Sequence, residues 1–411
     1  MKIEHWAIFL DNTSNKDYLI DLLLQGHPPK KFQAFQGAKG SLFSKIAIKR
    51  FIDEEDRHGT KILTLDTEQS LQSMSSGEQK KALLKHILSS DCEFIVLDNP
   101  FDNLDTDTQT ELKIQLARVS KKISMVQLVS RKSDVLPFIP KFAQLAVEIL
   151  TGIEGDKVPS SSQVIGKFEE EIPPPLHPME FDAAILIELK GVHVSYGNRP
   201  ILKAIDWTIA KGDFWELRGK NGSGKTTILS MITGENPKGY GQELYIFGRK
   251  KGSGESVWDI KKKIGYFTPS MTDKFTGYHS VEHMIISGLN DSIGLYIQPT
   301  EVQLRLAKAW LQLIGLWQIK DRLYHDLSMG QKRLVMCARA MIKHPPLLIL
   351  DEPTAGLDDE SAALFVTLVN KFAKESETTT IFVSHRKEPG LEPDHIYQLE
   401  MTEAGSIGRR L

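Results

Sequence analysis

The chain has 411 residues, 41% of them apolar, with 51 Lys and Arg against 53 Asp and Glu. That length implies two or three domains with ample core, and the composition is that of a globular protein rather than a disordered one. A formal net charge of −2 gives no general attraction to nucleic acid or anionic lipid, and two cysteines, Cys92 and Cys337, exclude a disulfide framework or cysteine-ligated cluster and suit a reducing cytosol. No apolar run approaches the ~18 residues needed to span a bilayer, and Met1 to Asp11 lacks the apolar core of a signal peptide. A cytoplasmic protein is expected, with any membrane contact peripheral, at the inner face of the plasma membrane, and made through a partner.

In chain order, Trp6 to Phe9 reads as a strand leading into Leu10-Asp11-Asn12-Thr13-Ser14-Asn15-Lys16-Asp17-Tyr18. Met74-Ser75-Ser76-Gly77-Glu78 opens a helix running through Leu88. Phe94 to Leu97 is an apolar strand ending in Asp98-Asn99-Pro100, followed by Asn103-Leu104-Asp105, and Val126 to Ser130 is a second strand followed by Arg131. Residues 151 to 184, with Gly152, Gly155, Pro159, Glu169 to Glu171 and Pro173 to Pro175, read as a linker. A flexible chain of about 30 residues spans roughly 30 Å, enough for two domains, 1–150 and 185–411, to fold back on each other.

The second domain repeats the order of the first. Phe214 to Arg218 is a strand leading into Gly219-Lys220-Asn221-Gly222-Ser223-Gly224-Lys225-Thr226-Thr227, a complete G-x-x-x-x-G-K-[ST] loop, and helical spacing follows from Thr226 to Ile232. The glycines let backbone amides wrap a β-phosphate, Lys225 reaches the β and γ oxygens, and Thr226 offers its hydroxyl to Mg²⁺. Leu327-Ser328-Met329-Gly330-Gln331 opens a helix running from Arg333 to Ile342, whose N-terminus is an anion site. Leu347 to Leu350, four aliphatics buried on both faces of a parallel sheet, end in Asp351-Glu352. Asp351 is expected in the Mg²⁺ shell and Glu352 as the base that orients and deprotonates the attacking water. Thr380 to Ser384 is the next strand, and His385 at its end is expected to sense the γ-phosphate.

In this order the motifs resemble the ATP-binding cassette (ABC) family, whose Leu-Ser-Gly-Gly-Gln signature is matched at Leu327 to Gln331 with Met329 for a glycine. Asp351-Glu352-Pro353-Thr354 and Ala355-Gly356-Leu357-Asp358 resemble its Walker B and D-loop, and Tyr196 its adenine-stacking aromatic. The resemblance implies an α/β fold of two P-loop NTPase domains with mainly parallel central sheets, helical subdomains and, in the second domain, an antiparallel β subdomain. It also implies ATP as substrate and Mg²⁺ as cofactor. One departure is the absence of the family's glutamine after Ile264-Gly265-Tyr266-Phe267, where Thr268-Pro269-Ser270-Met271 follows.

Under that resemblance the first domain is a degenerate, shortened cassette. Lys16 survives, although a plain surface lysine is the competing reading, but every phosphate-loop glycine is gone. Asn99 replaces the glutamate, and Arg131 stands where the histidine should be. The chain begins nine residues before Leu10, too short for an adenine-stacking strand. Lys16 to Ser75 is 75 − 16 = 59 positions against 328 − 225 = 103 in the second copy, so the helical subdomain should be cut down.

Cassettes pair head to tail, so one composite site would combine Tyr196, Gly219 to Thr227, Asp351, Glu352 and His385 with Ser75 and Gly77. A degenerate second site would combine Lys16, Asp98, Asn99 and Arg131 with Ser328 and Gly330. Phe247-Gly248-Arg249 and Gly252 to Lys261 resemble those of tandem-cassette ATPases of the molybdenum-transport or photorepair type, yet no residue recognises molybdate. Three functions follow as alternatives: energising permease subunits, switching a soluble cytosolic macromolecule, or acting as a nucleotide-gated scaffold with little turnover.

Overall fold

The computed structural model describes residues 3–65, 69–153, 168–179, 183–275 and 277–411, without the side chains of residues 273 and 274. The chain forms two compact units, Met1–Val164 with Gly356–Asp359, and Ile165–Ala355 with Glu360–Leu411.

The first unit runs β1 (His5–Leu10), α1 (Lys16–Leu24), β2 (Gly40–Phe43), α2 (Lys45–His58), α3 (Ser76–Ser89), β3 (Phe94–Asp98), α4 (Thr106–Val119), β4 (Ser124–Val129), β5 (Lys141–Ala146) and β6 (Ile149–Ile153). Its sheet has the order β2-β3-β4-β1-β5-β6, parallel except for the β5–β6 hairpin. β3 is buried along its whole length: Ile95 and Leu97 enter one core, and Phe94 and Val96 enter the other. Successive strand residues point to opposite faces, so an unbroken apolar run requires cover on both.

The second unit runs β7 (Ile185–Tyr196), β8 (Arg199–Ala210), β9 (Phe214–Gly219), α5 (Lys225–Ile232), β10 (Leu244–Ile246), β11 (Arg249–Lys250), α6 (Val257–Lys262), β12 (Ile264–Phe267), α7 (Pro269–Lys274), α8 (Val281–Ile286), α9 (Glu301–Leu313), α10 (Met329–Met341), β13 (Leu347–Asp351), α11 (Asp359–Glu375), β14 (Thr379–Ser384), β15 (His395–Glu400) and β16 (Ile407–Arg410). Its main sheet, β12-β13-β14-β9-β15-β16, has the order of the first unit strand for strand. The antiparallel sheet β11-β10-β7-β8 has no counterpart among the described residues of the first unit.

Register makes the repeat exact in number. Asp98 pairs with Leu128 as Asp351 pairs with Val383, and Phe43 pairs with Leu97 as Phe267 pairs with Leu350. Between the β2 or β12 strand and the signature serine, the described residues of the first unit form the single α-helix α2 where those of the second form α7, α8 and α9. Two expectations change. β6 continues to Ile153, so residues 151–153 of the expected linker are strand. Residues 154–167 and 180–182 of that linker lie outside the described residues, but Ile172 is buried, its N–H donates to Glu375 Oε2 (3.1 Å), and His344 Nε2 lies 2.7 Å from Pro173 O. That stretch is packed into the second unit rather than spanning open solvent.

Candidate nucleotide site

β9 delivers the chain into the phosphate loop and α5 leaves it. Gly224, at φ 92°, caps α5 in the left-handed region, and a Cβ there would come within 2.6 Å of Leu202 Cδ2. Strain and contact together demand glycine. α5 has no side-chain cap, so its first amides and its dipole suit an anion. The Lys225 side chain is buried and folds back over the loop, its Nζ donating to Gly219 O (2.7 Å) and Lys220 O (3.2 Å). Ser223 Oγ is buried with no hydrogen-bond partner among the described residues.

Three strand ends converge on that lysine. Lys225 Nζ lies 3.9 Å from Glu352 Oε1, and His385 Nδ1 lies 3.4 Å from the same oxygen. The imidazole faces that oxygen outside hydrogen-bond geometry, and among the described residues its Nδ1 is another buried polar atom with no hydrogen-bond partner. Burial alone would raise the Glu352 carboxyl. The neighbouring His385, with Lys225 and Arg386, outweighs burial and holds it below the ordinary value. Asp351 goes the other way, pushed up to about 6 by burial and then by the Glu352 charge. Tyr266 Oη donates to Asp351 Oδ2 over 3.4 Å. Two adjacent carboxyls, one of them destabilised as an anion, together with the Thr226 hydroxyl form a hard-oxygen donor set that fits Mg²⁺. Among the described residues no group of three or more His, Cys, Asp or Glu is arranged to hold a metal ion by itself, so such an ion would draw on substrate phosphates as well.

Tyr196 ends β7, half-exposed beside the turn at Gly197. Its hydroxyl accepts from Asn236 Nδ2 (2.8 Å), and Lys238 Nζ sits 5.8 Å from its ring centroid. The Asn236 bond fixes the ring's orientation. Asn221 and Thr227 lie in the loop and in α5 respectively. Ser328 caps α10 through a reciprocal box with Gln331, Met329 is exposed at the first helical position, and Gly330 is buried behind it.

Residues 202–355 match the profile of the family described as "ABC transporter". The chain is 37% identical over 329 residues to the ABC transporter ATP-binding protein ModF of Escherichia coli (strain K12), covering 77% of this chain and 67% of that one. The chain belongs to the ATP-binding cassette family. It is a tandem-cassette ATPase. An uncharacterised ABC transporter ATP-binding protein of Schizosaccharomyces pombe is 29% identical over 78% of this chain and 66% of its own length, so the chain spans about two thirds of these relatives. A structure described as ribosome-bound archaeal Pelota and ABCE1 shares the fold, with TM-score 0.65 and 16% identity over 99% of this chain and 74% of that one.

The first cassette keeps the frame and makes different contacts at the equivalent positions. The Asp11 carboxylate accepts from Thr13 N (2.7 Å), Thr13 Oγ1 (2.7 Å) and Ser14 Oγ (3.1 Å), an acid-centred turn where the second cassette has its phosphate loop. Lys16 is no plain surface lysine: its Nζ donates to both Asp98 oxygens, at 3.0 and 2.9 Å. The lysine thus reaches the acid at the end of β3. Asn99 uses its side chain structurally, its Oδ1 accepting from Ser130 N (2.9 Å).

The register also corrects one position. Leu128 corresponds to Val383, so Ser130, and not Arg131, stands at the place of His385, while Arg131 corresponds to Arg386. Counting from sequence placed it one residue late because the polar residues after β4 give no marker of the strand's end. Ser75 caps α3 through the same reciprocal box, with Glu78, so this signature is intact as a helix start.

Lys16→Ala should leave ATP turnover within twofold while lowering stability by about 1–2 kcal/mol, because it strands a buried carboxylate but removes a lysine whose side chain is 35% exposed. Denaturant unfolding beside phosphate release checks both halves, and a large loss of turnover at unchanged stability would assign Lys16 to catalysis.

Proposed function

We propose that the chain hydrolyses ATP at one site, built on the second cassette and completed by the signature of the first. Lys225 and the loop amides hold the phosphates, Tyr196 stacks the adenine, and Glu352 accepts the proton of the attacking water while His385 faces the γ-phosphate. Thr226 and Asp351 would hold Mg²⁺, which, when bound, neutralises charge on the β and γ oxygens. Ser75 and Gly77 would cap the nucleotide through the head-to-tail pairing of this family. The observation that carries the reading is the contrast at equivalent positions: Lys225, Glu352 and His385 converge in one cassette, whereas in the other Lys16 is closed on Asp98 and Asn99 and Ser130 are closed on each other.

This reading is tested by counting nucleotides in the Glu352→Gln protein. One ATP per chain is expected at saturation; two would refute the one-site assignment.

For the target, the strand β12 passes through Thr268 directly into α7, with Pro269 at the first helical position, leaving no glutamine to report on a permease. The first cassette's helical insert is down to α2. Both favour a switch acting on a cytosolic macromolecule. The transporter naming of the relatives supports the second reading, a membrane permease partner. Co-purification from the native cell discriminates between the two.

A further inference from the structure

Five residues after each signature serine (80 − 75 and 333 − 328) stands a buried cation. In the first cassette, Lys80 Nζ donates to Pro100 O (2.8 Å) and Asp102 O (2.7 Å). In the second, Arg333 Nη2 donates to Ala355 O (3.4 Å). Asp102 lies four residues past Asp98, and Ala355 four past Asp351, so both cations grip the same carbonyl of the same loop. Each grip precedes a left-handed residue, Asn103 (φ 57°) or Gly356 (φ 74°). Arg333 extends a second arm to Thr272 Oγ1 (3.1 Å) on α7 and lies over the Phe267 ring (5.6 Å). In the first cassette the helix following β2 begins with Lys45, a cation, whose charge acts on Lys80.

The loop that Lys80 holds leads to the capping of α4 by Asp105, and Ser76 Oγ adds its own bond to Asn103 O (2.9 Å). We propose that Lys80 is a positioning residue for ATP turnover, locking the signature helix α3 and the segment 100–105 into one rigid piece that presents Ser75 and Gly77 in fixed geometry. The proposal rests on the reading that Ser75 and Gly77 complete the nucleotide site. Its logic is that a cap misplaced by an ångström lowers the chemical step far more than it lowers ground-state binding. A cassette with no chemistry of its own keeps a costly buried lysine because the neighbouring site requires that rigidity.

Burial drives the Lys80 ammonium down to about 8. Asp102, Asp98 and Asp134 pull it upward, and Lys45 pushes it down. Above that pH the neutral amine grips the carbonyls more weakly. The folded state then holds fewer protons at this group than the unfolded chain, whose lysine keeps its charge to about 10.5, so raising the pH through this window favours folding. A turnover loss there is not an unfolding effect of Lys80.

The test compares Lys80→Met and Lys80→Arg in steady-state ATP hydrolysis with the full chain. Lys80→Met should lower kcat at least tenfold with KM and nucleotide Kd within twofold, and Lys80→Arg should recover most of it. Between pH 7 and 9.5 the wild-type kcat should contain a fall with midpoint near 8 that Lys80→Arg lacks. Should Lys80→Met fail to fold, these pH profiles decide: identical wild-type and Lys80→Arg curves overturn the proposal. Unchanged kcat in Lys80→Met while Gly77→Val is inactive overturns the latch alone; an active Gly77→Val overturns the composite site and the latch with it.

Discussion

The Glu352→Gln protein is expected to bind ATP with unchanged affinity and to hydrolyse it 10²- to 10⁴-fold more slowly, the usual yield of a positioned general base. The substitution keeps the size of the side chain and its place beside His385 and Lys225, where Glu352 Oε1 lies 3.4 Å from His385 Nδ1 and 3.9 Å from Lys225 Nζ. It removes the negative charge and with it the ability to take a proton. Because those neighbours hold the carboxyl below its ordinary value, Glu352 is ionised throughout the neutral range and the wild-type rate should not fall for want of this base on mild acidification. Phosphate release and equilibrium nucleotide binding measure the two quantities separately. Residual turnover above a tenth of wild type would remove Glu352 from the role of base.

Gly77→Val should abolish hydrolysis to a comparable degree while the second cassette still binds nucleotide through Lys225. The site of the change is on α3 in the first unit, so a direct effect on chemistry at the second cassette's nucleotide requires that the two cassettes share it. One confounding contact must be controlled: a Cβ on Gly77 would approach Thr108 Cγ2 to 2.8 Å, pushing α3 away from α4. Thr108→Ser removes that methyl group. If Gly77→Val in the Thr108→Ser background regains wild-type turnover, the loss was helix displacement and Gly77 does not face the nucleotide. Persistent inactivity with normal ATP binding places Gly77 at the nucleotide.

The phosphate loop, the acidic strand end and both signature helices were legible in sequence because each couples a turn chemistry to a strongly apolar run. Leu347 to Leu350 and Phe94 to Leu97 are too uniformly aliphatic to be anything but buried strands. β2 was not legible. Gly40-Ser41-Leu42-Phe43 is four residues with two small ones and no alternation, and only its pairing with β3 identifies it as the partner of β12. The Lys16–Asp98 pair joins residues 82 positions apart, beyond any local pattern. Lys80 reads in sequence as one more solvated lysine on a polar helix. Its equivalence to Arg333, five residues past a signature serine, was the available signal. The hairpin β7–β8, with its shifts in register, likewise follows from cross-strand pairing that spacing alone does not encode.

Asn99 (φ 41°) and Glu352 (φ 49°) share the same left-handed backbone at the end of the same strand. Asparagine visits that region readily and glutamate seldom does, so the two cassettes meet one geometric demand at different cost, on the order of 1–3 kcal/mol for the unfavoured residue. At this bend the first cassette is relaxed where the second is strained, and it carries an amide where the second carries a carboxylate. The strain at this position therefore falls on Glu352, the residue proposed to take the proton.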